Sequence, residues 1–488
     1  MGKLIGDVME DLQKTQVECS ENNDFEKLQV VIDGYQQLLL EAPHDPYIIF
    51  QLGTAHLQKQ DYGVALVILQ RVLDYLPDNS HVWSNIGCCY RAIHMLPQAR
   101  DCFMKSLMLE EKAETYSNLA SSYVNEDAPE EGWPYAIKAM ELEPETAKAR
   151  WNGSLLQLEM RNWKEGFALY DAGFFCGERG LRSYSNDTPD STDWFDGNLQ
   201  SGKTLALWDE QGLGDRLLAA GLLPKLEKAN LDIILECHPR LEAIYKRSFP
   251  WINKIYPTAK KSFIEWPNDH PVDQKSAVFS LAKYFWKTEA GMSTRSYLKP
   301  NEELLEMYRK QFEALGPPPY YGLSWKGGAL KTNTQYRSMK LGWFENVIKR
   351  AGGTWISMQY HEDAKEKVER MREKTGLPIF HCDAAQEMDY DHTLSALAAL
   401  DHTITCCNTV VHTCGAAGLK CTVLVPKKRA WRYPAGPYFP WYSDDIVMFH
   451  QTTDQEWKEV LEVLGGSLEN AYNHNRSRSI DSKTETRQ

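Results

Sequence analysis

From about residue 26 to residue 172, apolar positions recur every three or four residues in short blocks separated by polar turns, as amphipathic helices require. The blocks themselves repeat. Leu52-Gly53 is followed by Ala65, Leu69, Val72 and Pro77, and a shift of 34 residues gives Ile86-Gly87, Ala99, Phe103 and Ser106, with Trp83 and Tyr90 at aromatic positions. A third set is Tyr116, Leu119-Ala120, Tyr123, Ala136, Ala139 and Pro144. This spacing predicts stacked helix pairs. Gly53 and Gly87 let the first helix of a pair approach its partner, Ala65 and Ala99 do the same from the second, and Pro77 and Pro144 end the second helix. Phe25 to Leu40 reads as one more pair or a cap, and 151–172 as a final degenerate repeat.

From Gly202 onward short apolar runs alternate with helical stretches. Thr204–Trp208, the turn Gln211-Gly212-Leu213-Gly214-Asp215, a helix from Arg216 to Lys228 and the run Leu231–Cys237 make a βαβ unit, hence a parallel sheet. The alternation restarts at Tyr320–Trp325. Further strands are expected at Thr354–Gln359, Ile379–Cys382, His402–Cys406 and Thr422–Val425. Helices are expected at Trp343–Lys349, Glu362–Lys374, Thr393–Leu400 and Thr409–Ala417. Pro317-Pro318-Pro319 between the two series reads as a hinge.

The fold class is therefore α + α/β. A segment 1–25 and a helical solenoid over 26–178 precede two doubly wound α/β domains, 196–315 and 316–470. The polar tail 474–488, without apolar periodicity, is expected to be disordered. A period near 34 with small residues at fixed offsets resembles the TPR repeat. Stacked TPR pairs offer a concave surface for a protein partner or self-association, or they brace the neighbouring domain. In doubly wound sheets ligands bind beyond the carboxyl ends of the strands, which here points to a cleft between the two α/β domains.

Charge and cysteine usage narrow the function. A formal net charge of −13 over 488 residues disfavours non-specific nucleic-acid binding. No run of about 18 apolar residues predicts a membrane span. The start MGKLIGDVMEDLQ lacks a signal-peptide pattern, and Gly6 stands where a myristoylation signal has Ser or Thr. The 11 cysteines include adjacent pairs, Cys88-Cys89 and Cys406-Cys407, but no Cys-x-x-Cys. Reduced thiols in a cytoplasmic protein are the expectation.

Four stretches carry candidate chemistry. Gly212 and Gly214 stand where a strand meets a helix, so backbone N–H groups there can approach an anion. Leu217 breaks the dinucleotide pattern GxGxxG, which disfavours a dehydrogenase. Asp215 either complements the helix dipole or faces the cleft as a general base. Asn408-Thr409-Val410-Val411-His412-Thr413-Cys414-Gly415 also follows a strand and opens a helix, where Thr409 and the first N–H groups suit a diphosphate. His412, on the same helix face, is either a satisfied structural histidine or a ligand contact. Lys326, after the run Leu323-Ser324-Trp325, and Arg337 beyond it are exposed loop cations or counter-charges for a leaving diphosphate. Lys427-Lys428-Arg429-Ala430-Trp431-Arg432-Tyr433 offers charge and an aromatic plane in a loop after the last expected strand. Asp389-Tyr390-Asp391 mimics a DxD metal motif but reads as a helix N-cap, so no metal site is expected.

In order, these pieces resemble a bacterial-type TPR protein whose C-terminal half is similar to the lipopolysaccharide heptosyltransferases and, more distantly, the O-GlcNAc transferases. The resemblance runs from about Asp45 to Leu464. It is carried by WNGSLLQLEMRNWKEGFALYD, Phe195-Asp196-Gly197, GKTLALWDEQGLGD, LSWKGG…YRSM, DHTLSALAALDHTITCCNTVVHTCGAAG and WRYP. It implies a GT-B architecture of two Rossmann-like domains, a nucleotide-sugar co-substrate, no cofactor or metal, and a protein or glycan acceptor. By the same resemblance Asp215 is the base that deprotonates the acceptor hydroxyl, and Lys326 stabilises the departing phosphate. Thr409, His412 and Gly415 line the donor diphosphate. The family pattern favours Asp at the position of Asn408, and small or Leu residues at Thr413-Cys414. A non-catalytic TPR scaffold that retains the fold is the alternative.

Overall fold

The computed structural model describes residues 2–22, 24–181, 183–184, 193–252, 254–258, 263–264, 272–289, 292, 296–328, 334–386, 389–443 and 445–485. The chain divides into two compact units at Met160/Arg161.

The first unit is built from antiparallel helix pairs. Pro46–Gln58 packs on Tyr62–Val72, Ser80–Ala92 on Leu96–Leu109, and Ala113–Ser121 on Pro129–Leu142, with Ala147–Glu159 following. The repeat is legible in the caps. The Asp45 side chain accepts from the backbone N–H groups of Tyr47 and Ile48, and Asn79 accepts from those of His81 and Val82, satisfying donors that the helix leaves open. A Cβ on Gly53 would lie 2.8 Å from Leu69, and one on Gly87 would lie 2.6 Å from the ring of Phe103. Ala65 and Ala99 are fully buried opposite them. Phe25–Glu41 is a single helix whose partner is Gly2–Asn22, part of the segment expected to stand apart. The reason is the same close approach: a Cβ on Gly34 would lie 2.6 Å from Leu12.

The second unit holds two parallel sheets. Its strands are β1 (Ser183–Tyr184), β2 (Asp193–Trp194), β3 (Thr204–Trp208), β4 (Asp232–Cys237), β5 (Lys254–Pro257), β6 (Phe263–Ile264), β7 (Gln274–Ala277), β8 (Tyr320–Ser324), β9 (Thr354–Ser357), β10 (Ile379–His381), β11 (His402–Cys406), β12 (Cys421–Val425) and β13 (Ile446–His450). The first sheet has the order β2-β7-β3-β4-β5, the second β10-β9-β8-β11-β12-β13, and β1 pairs with β6. In the second sheet the chain runs outward from β8 through β9 to β10, then returns to β11 and continues to β13. The switch point lies between β8 and β11, where Leu323 faces Ile404 in register. The central strands β3, β4, β11 and β12 are buried almost end to end, as parallel strands covered on both faces must be.

Four expectations change. The helix expected from Arg216 to Lys228 is an α-helix over Leu213–Ala219 that tightens into 3-10 turns at Ala220–Lys225, because Pro224 has no N–H to extend it. The second helix of the expected closing repeat, Trp163–Tyr170, belongs to the α/β unit. Its Phe167 and Tyr170 pack on Phe279 and Trp431, which no helical repeat supplies. The helix Glu302–Glu313, placed with the first α/β domain, packs on Tyr390–Ala398 beside the second sheet, and Tyr308 is 2.9 Å from His392 Nδ1. The tail from 474 continues the backbone of the helix Lys458–Glu485, since no Gly or Pro interrupts it after Gly466; residues 486–488 lie outside the described residues.

Candidate functional site

The first cluster lies at the carboxyl end of β3. Asp209 is buried, ion-paired with Arg216, and accepts from the backbone N–H of His238 at 3.0 Å. Burial pushes its carboxyl up to about 6 although Arg216 works against the shift. Glu210 is buried against Arg179, which also reaches Asp171 at 2.8 Å. Gln211 follows in the left-handed region at φ +68°, and its carbonyl accepts from Arg216 Nε at 3.0 Å. This bend turns the chain into Leu213–Ala219, and Gly212 caps that helix without a side-chain hydrogen bond. Asp215 is half-buried in the first turn. One of its oxygens, Oδ1, is ion-paired with Arg432 Nε, and Arg432 Nη2 donates to Gln211 Oε1 at 2.9 Å. The Arg432 guanidinium lies 4.6 Å from the centre of the Trp431 ring.

The second cluster lies at the switch point. Asn408 caps Thr409–Ala417: its Oδ1 accepts from Val410 N at 2.9 Å and from Thr405 Oγ1 at 3.0 Å. Its Nδ2 donates to Ser324 Oγ at 2.9 Å and faces the Lys326 carbonyl at 3.4 Å. An amide therefore stitches the end of β8 to the end of β11; a carboxylate could only accept from the Ser324 hydroxyl, taking it from Gln359, and would have no donor for the Lys326 carbonyl. Gln359 completes the stitch, accepting on Oε1 from the backbone N–H groups of Trp325 and Lys326 at 3.0 and 2.9 Å. Thr409 is half-buried in the first turn of the helix.

Lys326 and Arg337 leave the loop after β8 toward the ends of its two neighbouring strands, β9 and β11. The Lys326 ammonium is half-buried and lies 3.0 Å from His361 Nε2. Arg337 crosses Gly327, where a Cβ would lie 2.6 Å from its Nε, and donates from Nη1 to the Cys407 carbonyl at 2.7 Å.

The remaining candidates turn inward. His412 is 3% exposed, with Nδ1 at 2.9 Å from the Tyr442 hydroxyl and Nε2 at 3.1 Å from the Tyr433 hydroxyl. Burial pushes its pKa down to about 4, with Asp215 pulling the other way, so the ring is neutral at pH 7. A methyl on Gly415 would run into the Tyr442 ring. A Cβ on Gly214 would lie 3.0 Å from His412 and 3.5 Å from Thr409 Cα, so Gly214 brings the two helix starts together. The structure thus gathers the nine sequence candidates into two adjoining strand–helix turns and the loop after β8; Asp215, Lys326, Arg337 and Thr409 are the ones whose side chains are neither absent nor tied into the turns' own packing. Asp389 caps Tyr390–Ala398 by accepting from Asp391 N at 2.9 Å, and Asp391 pairs with Arg247 at 2.8 Å. Among the described residues no group of three or more His, Cys, Asp or Glu has the geometry to hold a metal ion. Sequence reading did not single out Arg432, His361, Gln211 and Gln359. Arg432 stood in the basic run and Gln211 in the Gly212-x-Gly214 turn, neither with a role; His361 and Gln359 carry no pattern that distinguishes them from ordinary polar residues.

No protein-family model matches the chain. It is similar to Protein FlbA of Caulobacter vibrioides, 26% identical over 265 residues, covering 49% of this chain and 42% of that one. The chain thus spans less than half the length of this relative. Among solved structures it overlaps a glycosyl transferase family 9 protein from Veillonella parvula at 13% identity and a TM-score of 0.40, over 52% of this chain and 87% of that one. It overlaps a thermophilic TPR protein from Thermus thermophilus at 16% identity and a TM-score of 0.31, over 34% of this chain and 90% of that one. Overlaps this loose say nothing on their own of what the chain does. No helix among the described residues is long and apolar enough to cross a membrane.

Proposed function

We propose that the α/β unit is a metal-independent, inverting glycosyltransferase that moves a sugar from a nucleotide-sugar donor to a hydroxyl on a protein or glycan. The observation that carries this reading is the placement of Lys326, Arg337 and the helix start at Thr409 around the carboxyl ends of β8, β9 and β11, with the Asp215 carboxylate on the turn that Gly214 brings against Thr409. Cations and a helix N-terminus suit a diphosphate. A carboxylate beside them suits a base for the acceptor. In the reaction the acceptor oxygen bonds to the anomeric carbon from the face opposite the leaving group. The bond from that carbon to the phosphate oxygen breaks, its electron pair leaves with the nucleoside diphosphate, and Asp215 takes the acceptor proton. Lys326 and Arg337 balance the charge that grows on the diphosphate. Asn408, His412, Gly214 and Gly415 hold the two turns in place rather than touching the donor. The resemblance to the heptosyltransferases and O-GlcNAc transferases supports the same assignment, and the helical unit is the surface for the acceptor protein or another partner.

A thermal-shift screen of the protein against nucleotide sugars and free nucleotides tests it. A ligand at about 100 times its dissociation constant adds roughly 2.7 kcal/mol. The expected result is a shift with one nucleotide class that Lys326→Ala abolishes. No shift with any of them favours the second reading, a TPR scaffold with a degenerate transferase fold. The bonds that tie Asp215 to Arg432 and engage both ends of Asn408 are the observations on its side.

A further inference from the structure

Asp215 and Arg432 pose a chemical conflict within the site. The carboxylate oxygen Oδ1, suited to take the acceptor's proton, is already held by the Arg432 guanidinium. Arg432 in turn is the cation nearest that carboxylate, and cations are what a diphosphate recruits. The side chains of Arg432 and Asp215 are 17% and 23% exposed, so the pair is open to a ligand at its edge although Arg432 Nε itself is buried. Nor is Arg432 fixed by Asp215 alone, since Gln211 Oε1 and the face of Trp431 hold the guanidinium in the same region when the carboxylate lets go. Gln211 itself is anchored through its Nε2, which donates to the Tyr170 hydroxyl at 2.9 Å.

Resting on the transferase reading, we infer that Arg432 is a positioning residue that keeps Asp215 ion-paired before a donor binds and turns its guanidinium to the donor's diphosphate, so that the base is released from its counter-charge when a donor is bound. The exchange is a substitution of one anionic partner for another, with no covalent step. Its consequence is order: donor first, then proton transfer from the acceptor. A phosphate anion and Asp215 compete for one guanidinium.

Competition has a signature that simple charge repulsion lacks. Inorganic pyrophosphate is the probe, and its affinity is measured by calorimetry for the full chain, Asp215→Asn, Arg432→Gln and the double variant. Arg432→Gln keeps a hydrogen-bond donor toward Gln211, and Arg432→Lys is run beside it in case the neutral side chain destabilises the fold. Asp215→Asn is expected to bind pyrophosphate roughly two- to fivefold tighter, the size of a partly exposed ion pair. The gain should vanish in the Arg432→Gln background and persist in part in the Arg432→Lys background. A gain of the same size with and without the arginine means that Asp215 merely repels the anion, and overturns the inference. So does equal binding by the wild type and Asp215→Asn. If no variant binds pyrophosphate or any nucleoside diphosphate, the transferase reading itself falls and the inference with it. If the competition holds while Asp215→Asn still transfers sugar at the wild-type rate, the exchange stands and the base assignment alone is wrong.

Discussion

Gly87 in the helical unit and Gly415 in the α/β unit do the same physical work. Each lets a helix lie against an aromatic ring, Phe103 in one case and Tyr442 in the other, where a methyl group would collide. They differ in how much their surroundings say about that role. Gly87 recurs as Gly53 one period earlier, so its place in a pair of helices follows from the repeat. Gly415 stands in a strand–helix turn, where glycine serves either close packing or the approach of backbone to an anion. Only its neighbours decide between the two. A periodic region therefore gives position and role together, whereas a turn motif gives position and leaves the role to packing.

The sharpest way to break this comparison is to exchange the roles. If the α/β turns divide as described, Asp215→Asn should lower the rate of sugar transfer about 10²- to 10⁴-fold with little change in unfolding free energy. His412→Ala should do the reverse, because it strands the Tyr433 and Tyr442 hydroxyls and empties a buried space. A stability loss on the order of 3 kcal/mol, with nucleotide affinity kept in the folded fraction, is expected from urea unfolding and calorimetry.

Next in size is the response to acid. Burial lowers the pKa of both His402 and His412 to about 4. Between that value and about 6.5 the unfolded chain binds protons that the folded ring refuses, so stability should fall as pH drops through this window. Each ring contributes on the order of 3 kcal/mol. Asp209, raised to about 6 chiefly by burial, acts with the opposite sign, since the folded form holds a proton that the unfolded form releases. Denaturant midpoints at pH 7 and pH 4.5 for the wild type and His412→Gln isolate one histidine's share. An unchanged difference between the two pH values would remove the buried ring as its cause.

Smaller still, Gly87→Ala and Gly415→Ala should each cost about 1–3 kcal/mol, whatever nucleotide is present. A loss confined to nucleotide binding in Gly415→Ala would restore the ligand role for that glycine. Asn408→Asp should keep the cap on Val410 but lose the donation to Ser324, a cost of about 1 kcal/mol readable in thermal unfolding.

The fold was legible wherever burial leaves a period. The strand His402–Cys406 and the helix Thr409–Ala417 match the expected bounds, because a β-branched run, Thr403-Ile404-Thr405, and an Asn cap mark them. The strands Lys254–Pro257 and Gln274–Ala277 were not legible, since Lys254, Gln274 and Lys275 give them a polar surface pattern in a short run. The site was legible as two turns and not as a set of contacts. Nothing local in Asp215 announces Arg432, which is 217 positions away and reaches it only because Gly214 admits the Thr409–Ala417 helix. His412 was ambiguous for the same reason: its two tyrosine partners follow it by 21 and 30 positions.

The glycine steps of the helical unit also bear on how it comes apart. Gly34 against Leu12, Gly53 against Leu69 and Gly87 against Phe103 are contacts within helix pairs, and each pair is held in turn by its neighbour, as Pro46–Gln58 is by Ser80–Ala92. Such a stack loosens like a zipper rather than melting at once. Opening should start in Gly2–Asn22, where Gln16 and Cys19 are the buried residues among those described, and reach Ser80–Ala92 late. Amide exchange along the chain should therefore record a gradient of protection that rises inward from that end.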